Sequence, residues 1–431
     1  MCPPVLGHLN PMTALARELL SRNHDVLFIG MPNTEPIIRA AGVPFFPCDE
    51  NENLVGSVND RLRQLARLEG EECLRLIFQM IAVRLEQMLD SLPATLAAAG
   101  VEGLILDSYD FFRGLIPMSL GMPYVHVSNA LHFDYSGHTP LCLYDWPPED
   151  GPAALTRNRK GLASLNRMLT EANAAAREYA RRNGLPIDWE DPSATISKLA
   201  HITQTPKEFD FESSHWPPQF QHTGPFHDDT GRIETEFPWD RLTGEPLVYA
   251  SMGTILNGLP KIFRAITAAV AMHKDAQLVL SIGNIVDPKQ IGFLPPNAIV
   301  VRRAPQLELL KRASVCITHA GLNTTLEALS QGVPQVAIPV SFDQPGVAAR
   351  IAHKKTGIVI SSKELTAIRL SVLIDEVLKN PVYRDNARRL QKIIAKKNGL
   401  SMAADLLERS FGLPRKVREN SALEISTVIS S

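Results

Sequence analysis

The feature that most limits how this chain can fold lies in its second half. Short runs rich in Val, Ile and Leu recur there at residues 247–254, 276–283, 298–303, 315–319, 335–340 and 357–360. Each run is continuous in its apolar character and of strand length, which suits a strand covered on both faces, as in a parallel sheet. Between them lie segments with helical spacing at 260–273, 306–312, 324–331 and 345–354, followed by helices at 365–379 and 383–397. Alternation of this kind specifies a doubly wound α/β domain.

The first half repeats the rhythm less regularly. A helix over 11–22 leads to a strand at 25–30, and a helix over 35–41 leads to a strand at 43–46. A long helical stretch, 60–98 with breaks, precedes strand 103–106, helix 111–120 and strand 124–127. The expected fold class is α/β, with two Rossmann-like, doubly wound domains facing each other across a cleft. The expected units are an N-terminal domain over 1–222, a polar, turn-rich linker over 223–245, and a C-terminal domain over 246–398. A final helix over 399–411 and a polar, loosely ordered tail over 412–431 complete the chain. No period of 20–50 residues repeats, which excludes a solenoid.

Composition narrows the function. The 431 residues are 45% apolar and 21% charged, enough to bury large cores without disulfides or metals. A formal net charge of −2 lacks the basic excess of a bulk nucleic-acid binder. No apolar run approaches the ~20 residues of a membrane span, which leaves only peripheral membrane contact open. Met1-Cys2-Pro3-Pro4 carries no basic n-region, so a cytoplasmic location is expected. Cys2, Cys48, Cys73, Cys142 and Cys316 are odd in number and scattered, which fits neither a disulfide framework nor a zinc site. Oligomeric state is not legible in the sequence.

Chemistry concentrates in Thr318-His319-Ala320-Gly321-Leu322-Asn323-Thr324-Thr325-Leu326-Glu327. This stretch falls where a buried strand ends and a helix begins, the edge at which open α/β folds bind ligands. A helix N-terminus offers unpaired N–H groups and a positive dipole end to a phosphate. Gly321 admits close backbone approach, His319 and Asn323 add donors, and Glu327 suits a ribose diol one turn later. Taken alone, the segment reads equally as an ordinary strand–helix turn capped by Asn323 or Thr324.

The wider context is more specific. Arg303-Ala304-Pro305-Gln306, the segment from His319 to Glu327, Gly332-Val333-Pro334 and Asp343-Gln344 keep fixed mutual spacings. Together they resemble the nucleotide-sugar box of family 1 glycosyltransferases. Nearly the whole chain is similar to the family's bacterial branch, the macrolide and zeaxanthin glycosyltransferase-like enzymes. Gly7-His8-Leu9-Asn10-Pro11, Val127-Ser128-Asn129-Ala130 and Ala250-Ser251-Met252-Gly253-Thr254 are further points of likeness.

The resemblance implies the GT-B fold and a nucleotide-diphosphate sugar, UDP-glucose first, as co-substrate with no cofactor. It implies that His319, Gly321 and the Asn323–Thr324 amides hold the diphosphate, helped by Thr254. It gives Glu327 the ribose hydroxyls, the Gln306 region the base, and Asp343 and Gln344 the sugar hydroxyls. Arg303 replaces the aromatic that opens the plant box; a guanidinium also stacks on a base. In the family the histidine matching His8 deprotonates the acceptor hydroxyl, and the aspartate matching Asp107 orients it, as in a hydrolase triad. Read from residues alone, His8 precedes a helix capped by Asn10 with Pro11 in its first turn, and Asp107 ends a strand. The structural alternatives are a surface loop histidine and a helix N-cap aspartate. The family's first strand precedes Gly7, yet only six residues stand there, so that strand is expected to be short or missing.

The remaining signals are weaker. Asp107-Ser108-Tyr109-Asp110 is not the D-x-D of metal-dependent glycosyltransferases, so no metal is expected. Phe133, Tyr135, Tyr144 and Trp146 lie in a loop over 131–148 and are the candidate acceptor-binding residues; they serve equally to plug the domain surface. The apolar spacing of 76–89 marks a helix that is part core and part acceptor border. The expected function is inverting transfer of a hexose to a small hydrophobic alcohol or phenol (flavonoid, carotenoid, macrolide or sterol-like). The alternatives are a nucleotide-sugar 2-epimerase and a non-catalytic partner protein of the same fold. A nicotinamide enzyme is disfavoured because no G-x-G-x-x-G opens either domain.

Overall fold

A computed structural model describes residues 1–48, 60–110, 112–228, 230–232 and 235–414. The expected polar tail therefore lies outside the described residues from 415 onward.

The N-terminal half runs α1 (Leu6–Ser21), β1 (Phe28–Gly30), α2 (Glu35–Ala40), β2 (Phe45–Pro47), helical residues 60–65 (α3), α4 (Gly70–Ala99) and β3 (Leu104–Asp107). It continues with α5 (Leu115–Leu120), β4 (Tyr124–Ser128), α6 (Pro152–Met168), α7 (Thr170–Arg182), β5 (His201–Thr203) and β6 (Phe220–His222). All its strand pairings are parallel, in two separate groups, β1-β2 and β3-β4-β5-β6. Met1 lies beside β3: its amino group donates to the Ile105 carbonyl at 3.0 Å and its own carbonyl accepts the Asp107 N–H at 3.2 Å. Among the described residues this ladder position is all that precedes α1 in the sheet.

The helix read from Pro11 begins five residues earlier, at Leu6. Extended Val5 stands before it without a side-chain cap, so Asn10 is no cap and Pro11 sits inside the helix. Helix α4 meets its end at Gly100, whose φ of 63° is the left-handed conformation that favours glycine. The polar helices α6 and α7 and the three-residue strands β5 and β6 were not picked out in the sequence: the helices bury residues at helical spacing, but these are mostly small or polar (Ala154, Asn158 and Gly161 in α6; Ala172, Ala176 and Ala180 in α7).

The C-terminal half runs β7 (Leu247–Ser251), α8 (Pro260–Val270), β8 (Gln277–Ser281), β9 (Ala298–Val301), α9 (Gln306–Leu310), β10 (Ala313–Thr318) and α10 (Leu322–Ser330). It closes with β11 (Gln335–Ala337), α11 (Gln344–His353), β12 (Gly357–Val359), α12 (Ala367–Lys379), α13 (Pro381–Ala395) and α14 (Gly399–Ser410). The sheet order is β12-β11-β10-β7-β8-β9, all parallel. Every residue of β7 is buried, as the continuous apolar run requires. Counted from β7, this is the order 3-2-1-4-5-6 of doubly wound folds, whose switch point falls between the first and fourth strands. That places the switch between β7 and β10.

Helix α14 packs on α1, where Ala403, Ala404 and Leu407 share a core with Leu9, Met12 and Leu15. Arg22 after α1 reaches Asp405 at 2.6 Å and Glu408 at 3.1 Å, and His24 reaches Glu408 at 2.9 Å. A buried ion pair, Arg350 to Asp210 at 2.7 Å, ties α11 to the loop between β5 and β6. The cysteines are buried thiols. Among the described residues no helix is long and apolar enough to cross a membrane.

Candidate active site

A cleft of about 690 Å³ opens at the β7/β10 switch point and is lined from both halves of the chain. On the C-terminal side, β7 delivers Gly253 and Thr254, and β10 delivers His319 and Gly321. The His319 ring lies between two glycines: a Cβ on Gly253 would fall 2.5 Å from it and one on Gly321 2.3 Å from it. Both positions therefore demand glycine for space, and Gly253 demands it for its φ of 73° as well. Ala320, between His319 and Gly321, takes a φ of 62°, a left-handed strain of the kind that collects at binding loops. Burial pushes the His319 imidazole down to about 4, so it is neutral at ordinary pH. The turn opens into α10, whose first N–H groups have no intrahelical partner and whose opening residues, Leu322 to Thr324, line the cleft.

Glu327, one turn into α10, is buried, and both its oxygens are engaged. Gln306 Nε2 donates to one at 2.6 Å and Arg232 to the other at 2.6 Å. The Tyr249 hydroxyl donates to Gln306 Oε1 at 2.8 Å, which holds the amide in that orientation. Arg303 also lines the cleft. Asp343 accepts the Leu131 N–H at 2.9 Å and Gln344 Oε1 accepts the Val340 N–H at 2.8 Å, and both residues line the cleft. Burial holds the Asp343 carboxyl above the usual range.

The opposite wall carries His8 in the first turn of α1. Its Nδ1 lies 2.7 Å from Asp107 Oδ2, with the histidine side chain 14% exposed and the aspartate fully buried. Asp107 also accepts from Asn129 Nδ2 at 2.6 Å and from the Tyr109 N–H at 2.8 Å. Burial alone would depress the His8 pKa; the adjoining Asp107 charge and hydrogen bond outweigh it, and the net shift is upward. For Asp107 burial acts upward, but His8, Asn129 and the Tyr109 amide bring it below its ordinary value. With Nδ1 occupied, Nε2 is the nitrogen left to face the cleft.

Beyond His8 the cleft wall is largely aliphatic, interrupted by Tyr109 beside His8 and by the charged Arg84, Asp110 and Arg113. Ile77, Met80, Ile81, Leu85 and Met88 recur at helical spacing along α4, joined by Leu62 and Leu65 of α3. The four candidate acceptor aromatics are elsewhere, and this corrects the sequence reading. Phe133 is buried in the N-terminal core with Tyr135 stacked on it at 6.0 Å. Tyr144 stacks on Trp146 at 4.0 Å, and both rings press on Gly161 of α6. They seal the loop against α6 and do not line the cleft.

The comparisons with known proteins agree with this arrangement. The profile of the family described as "UDP-glucoronosyl and UDP-glucosyl transferase" matches residues 206–398. The chain is 26% identical to the zeaxanthin glucosyltransferase of Pantoea ananas over 411 residues, covering 95% of this chain and 94% of that protein. It is 26% identical to the demethyllactenocin mycarosyltransferase of Streptomyces fradiae, covering 94% and 84%. Among solved structures, the glycotransferase of kitacinnamycin superposes with a TM-score of 0.71 at 25% identity, covering 96% of this chain and 97% of that one. Over residues 206–398 the chain matches the UDP-glycosyltransferase family profile, and over nearly its whole length it is similar to bacterial glycosyltransferases. Its two parallel-sheet halves are the GT-B fold, and its activity is glycosyl transfer from a nucleotide sugar to an acceptor.

Within this glycosyltransferase, the structure gathers His8, Thr254, Arg303, Gln306, His319, Gly321, Asn323, Thr324, Glu327, Asp343 and Gln344 on one cleft, with Asp107 directly behind His8. Gln306 was expected toward the base, yet its side chain is spent on Glu327 and Tyr249. Three participants escaped the sequence reading: Arg232, Tyr249 and Gln204. Arg232 sits in a linker with no pattern to mark it, and only the folded chain brings it to Glu327. Among the described residues no group of three or more His, Cys, Asp or Glu is placed to hold a metal ion.

Proposed function

We propose that this enzyme transfers a hexose, glucose from UDP-glucose first, to the hydroxyl of an aliphatic or polyene alcohol with inversion at the anomeric carbon. The observation that carries the reading is the 2.7 Å contact of His8 Nδ1 with Asp107, on the wall facing the α10 N-terminus. His8 Nε2 takes the acceptor proton as the hydroxyl oxygen attacks the anomeric carbon. The bond to the diphosphate oxygen breaks with its electron pair, and an α-linked donor yields a β-glycoside. Asp107 fixes the tautomer and stabilises the imidazolium.

The leaving diphosphate lies against the α10 amides, Thr254 and the neutral His319, preorganised donors of the type that stabilise developing charge. Glu327 receives the ribose hydroxyls, Arg303 the base, and Asp343 and Gln344 the sugar hydroxyls. No metal is required, because the helix terminus does its work.

The acceptor class follows from the wall chemistry. Flat phenols are commonly held by aromatic faces; Tyr109 beside His8 offers one, but most of the α4 wall, apart from Arg84, is methionine and branched aliphatic side chains, which adapt to irregular apolar shapes. The similarity to an enzyme named for zeaxanthin supports the same choice.

Mass spectrometry of wild type and His8→Ala, incubated with UDP-glucose and a pool of carotenoid diols, sterols, macrolides and flavonoids, tests this. Wild type should add one hexosyl unit to the aliphatic or polyene members, and His8→Ala should not. Equal product from both proteins would remove His8 from the mechanism.

A further inference from the structure

We infer that Gln204 is a positioning residue that holds the general base in register with the donor-binding helix. The inference deepens the reading of His8 and α10 given above and rests on it. Gln204 follows β5 and is 1% exposed. Its Nε2 donates to the Asn129 carbonyl at 2.6 Å and to Asn323 Oδ1 at 2.8 Å, while its Oε1 accepts the Phe226 N–H at 3.1 Å. Both amide hydrogens and the amide oxygen are thus used.

Asn323, in the first turn of α10, passes the connection on. With its oxygen turned to Gln204, its Nδ2 points at the Gly7 carbonyl and donates at 2.6 Å. That carbonyl is available for a reason of sequence. Four residues later stands Pro11, which has no N–H to complete the helical bond. The residue after Gly7 is His8, whose partner Asp107 is held by the side chain of Asn129 at 2.6 Å. The circuit closes: His8, Asp107, Asn129, Gln204, Asn323, Gly7.

One end of α10 is therefore tied to both members of the catalytic pair by a chain of buried and half-buried hydrogen bonds. This link uses the Asn323 amide oxygen and one of its two amide hydrogens, and so fixes the side chain's orientation at the start of α10. His8 cannot move relative to the α10 amides, and hence to the anomeric carbon, without breaking the circuit. Misplacement of a reacting group by about 1 Å can cost on the order of 100-fold in rate.

Two variants test the circuit from opposite sides. Gln204→Leu keeps the volume and removes every hydrogen bond. Pro11→Ala leaves Gln204 intact and supplies an N–H that competes with Asn323 for the Gly7 carbonyl, while favouring the helix; it carries the test where Gln204→Leu fails to fold. Transfer turnover, donor affinity by calorimetry and donor hydrolysis without acceptor are measured for each, with His8→Ala alongside.

The expected result is a fall in turnover of about 10- to 100-fold for Gln204→Leu and a smaller fall for Pro11→Ala without loss of thermal stability. Donor affinity stays near wild type, and hydrolysis rises relative to transfer. Wild-type turnover in a folded Gln204→Leu, or in Pro11→Ala, overturns the inference. So does a loss confined to donor affinity. Transfer surviving in His8→Ala would instead overturn the assignment of the base, and donor hydrolysis would still report on the link.

Discussion

Asp107 has no contact with solvent and spends both carboxylate oxygens on His8, Asn129 and the Tyr109 amide. Its charge does two jobs that one substitution separates. In Asp107→Asn the amide can still meet His8, but the counter-charge is gone. Loss of an oriented general base costs about 10²–10⁴-fold in rate, and turnover should fall within that span. The pH dependence should move too. A base works only when neutral, so wild-type activity fades as pH drops through the raised His8 pKa. Without Asp107 the strongest upward influence on His8 is gone and only Asp110 and Asp343 still oppose burial, so the pKa falls and the acid limb of kcat/KM shifts to lower pH even as the plateau falls. An acid limb that stays in place would mean that His8 is not the group being titrated.

At the scale of elements, the loop over 131–148 takes the plugging role that its sequence left open beside acceptor binding, and helix α4 borders the cleft as the apolar spacing of 76–89 suggested. Aromatic residues were the visible signal in the loop, yet they pair with one another and with α6, and Arg157 covers Trp146 at 5.2 Å. Trp146→Ala should therefore cost about 1 kcal/mol of stability, the worth of an aromatic pair, read by urea denaturation, and leave acceptor KM unchanged. Leu85→Phe on α4, by contrast, should alter which acceptors are used. The sequence reading placed every strand of the C-terminal sheet, because strands buried on both faces must be continuously apolar and little else is. It missed α6, α7, β5 and β6: the strands are only three residues long, and the helices mark their buried face mainly with alanine, glycine and asparagine rather than large apolar residues. The donor loop was legible because close packing dictates its glycines. Arg232 and Gln204 were not, since a hydrogen bond between distant segments imposes no local pattern.

Across the whole molecule the two halves differ in how their sheets are joined. The C-terminal sheet is continuous over six strands, whereas the N-terminal one is divided into β1-β2 and β3-β4-β5-β6. A two-stranded sheet is marginal by itself, and β1-β2 depends on the side chains of α1 and α14 that share its core. Protein regions open in cooperative units whose free energies range from near zero to the global value. Amide hydrogen exchange should therefore find β1, β2 and α2 opening well before β7, β8 and β10. Helix α1 rests on that same early unit and carries His8. The temperature at which turnover is lost should accordingly lie below the one at which the C-terminal sheet melts: the enzyme would fall silent while most of it is still folded, and cooling should restore it.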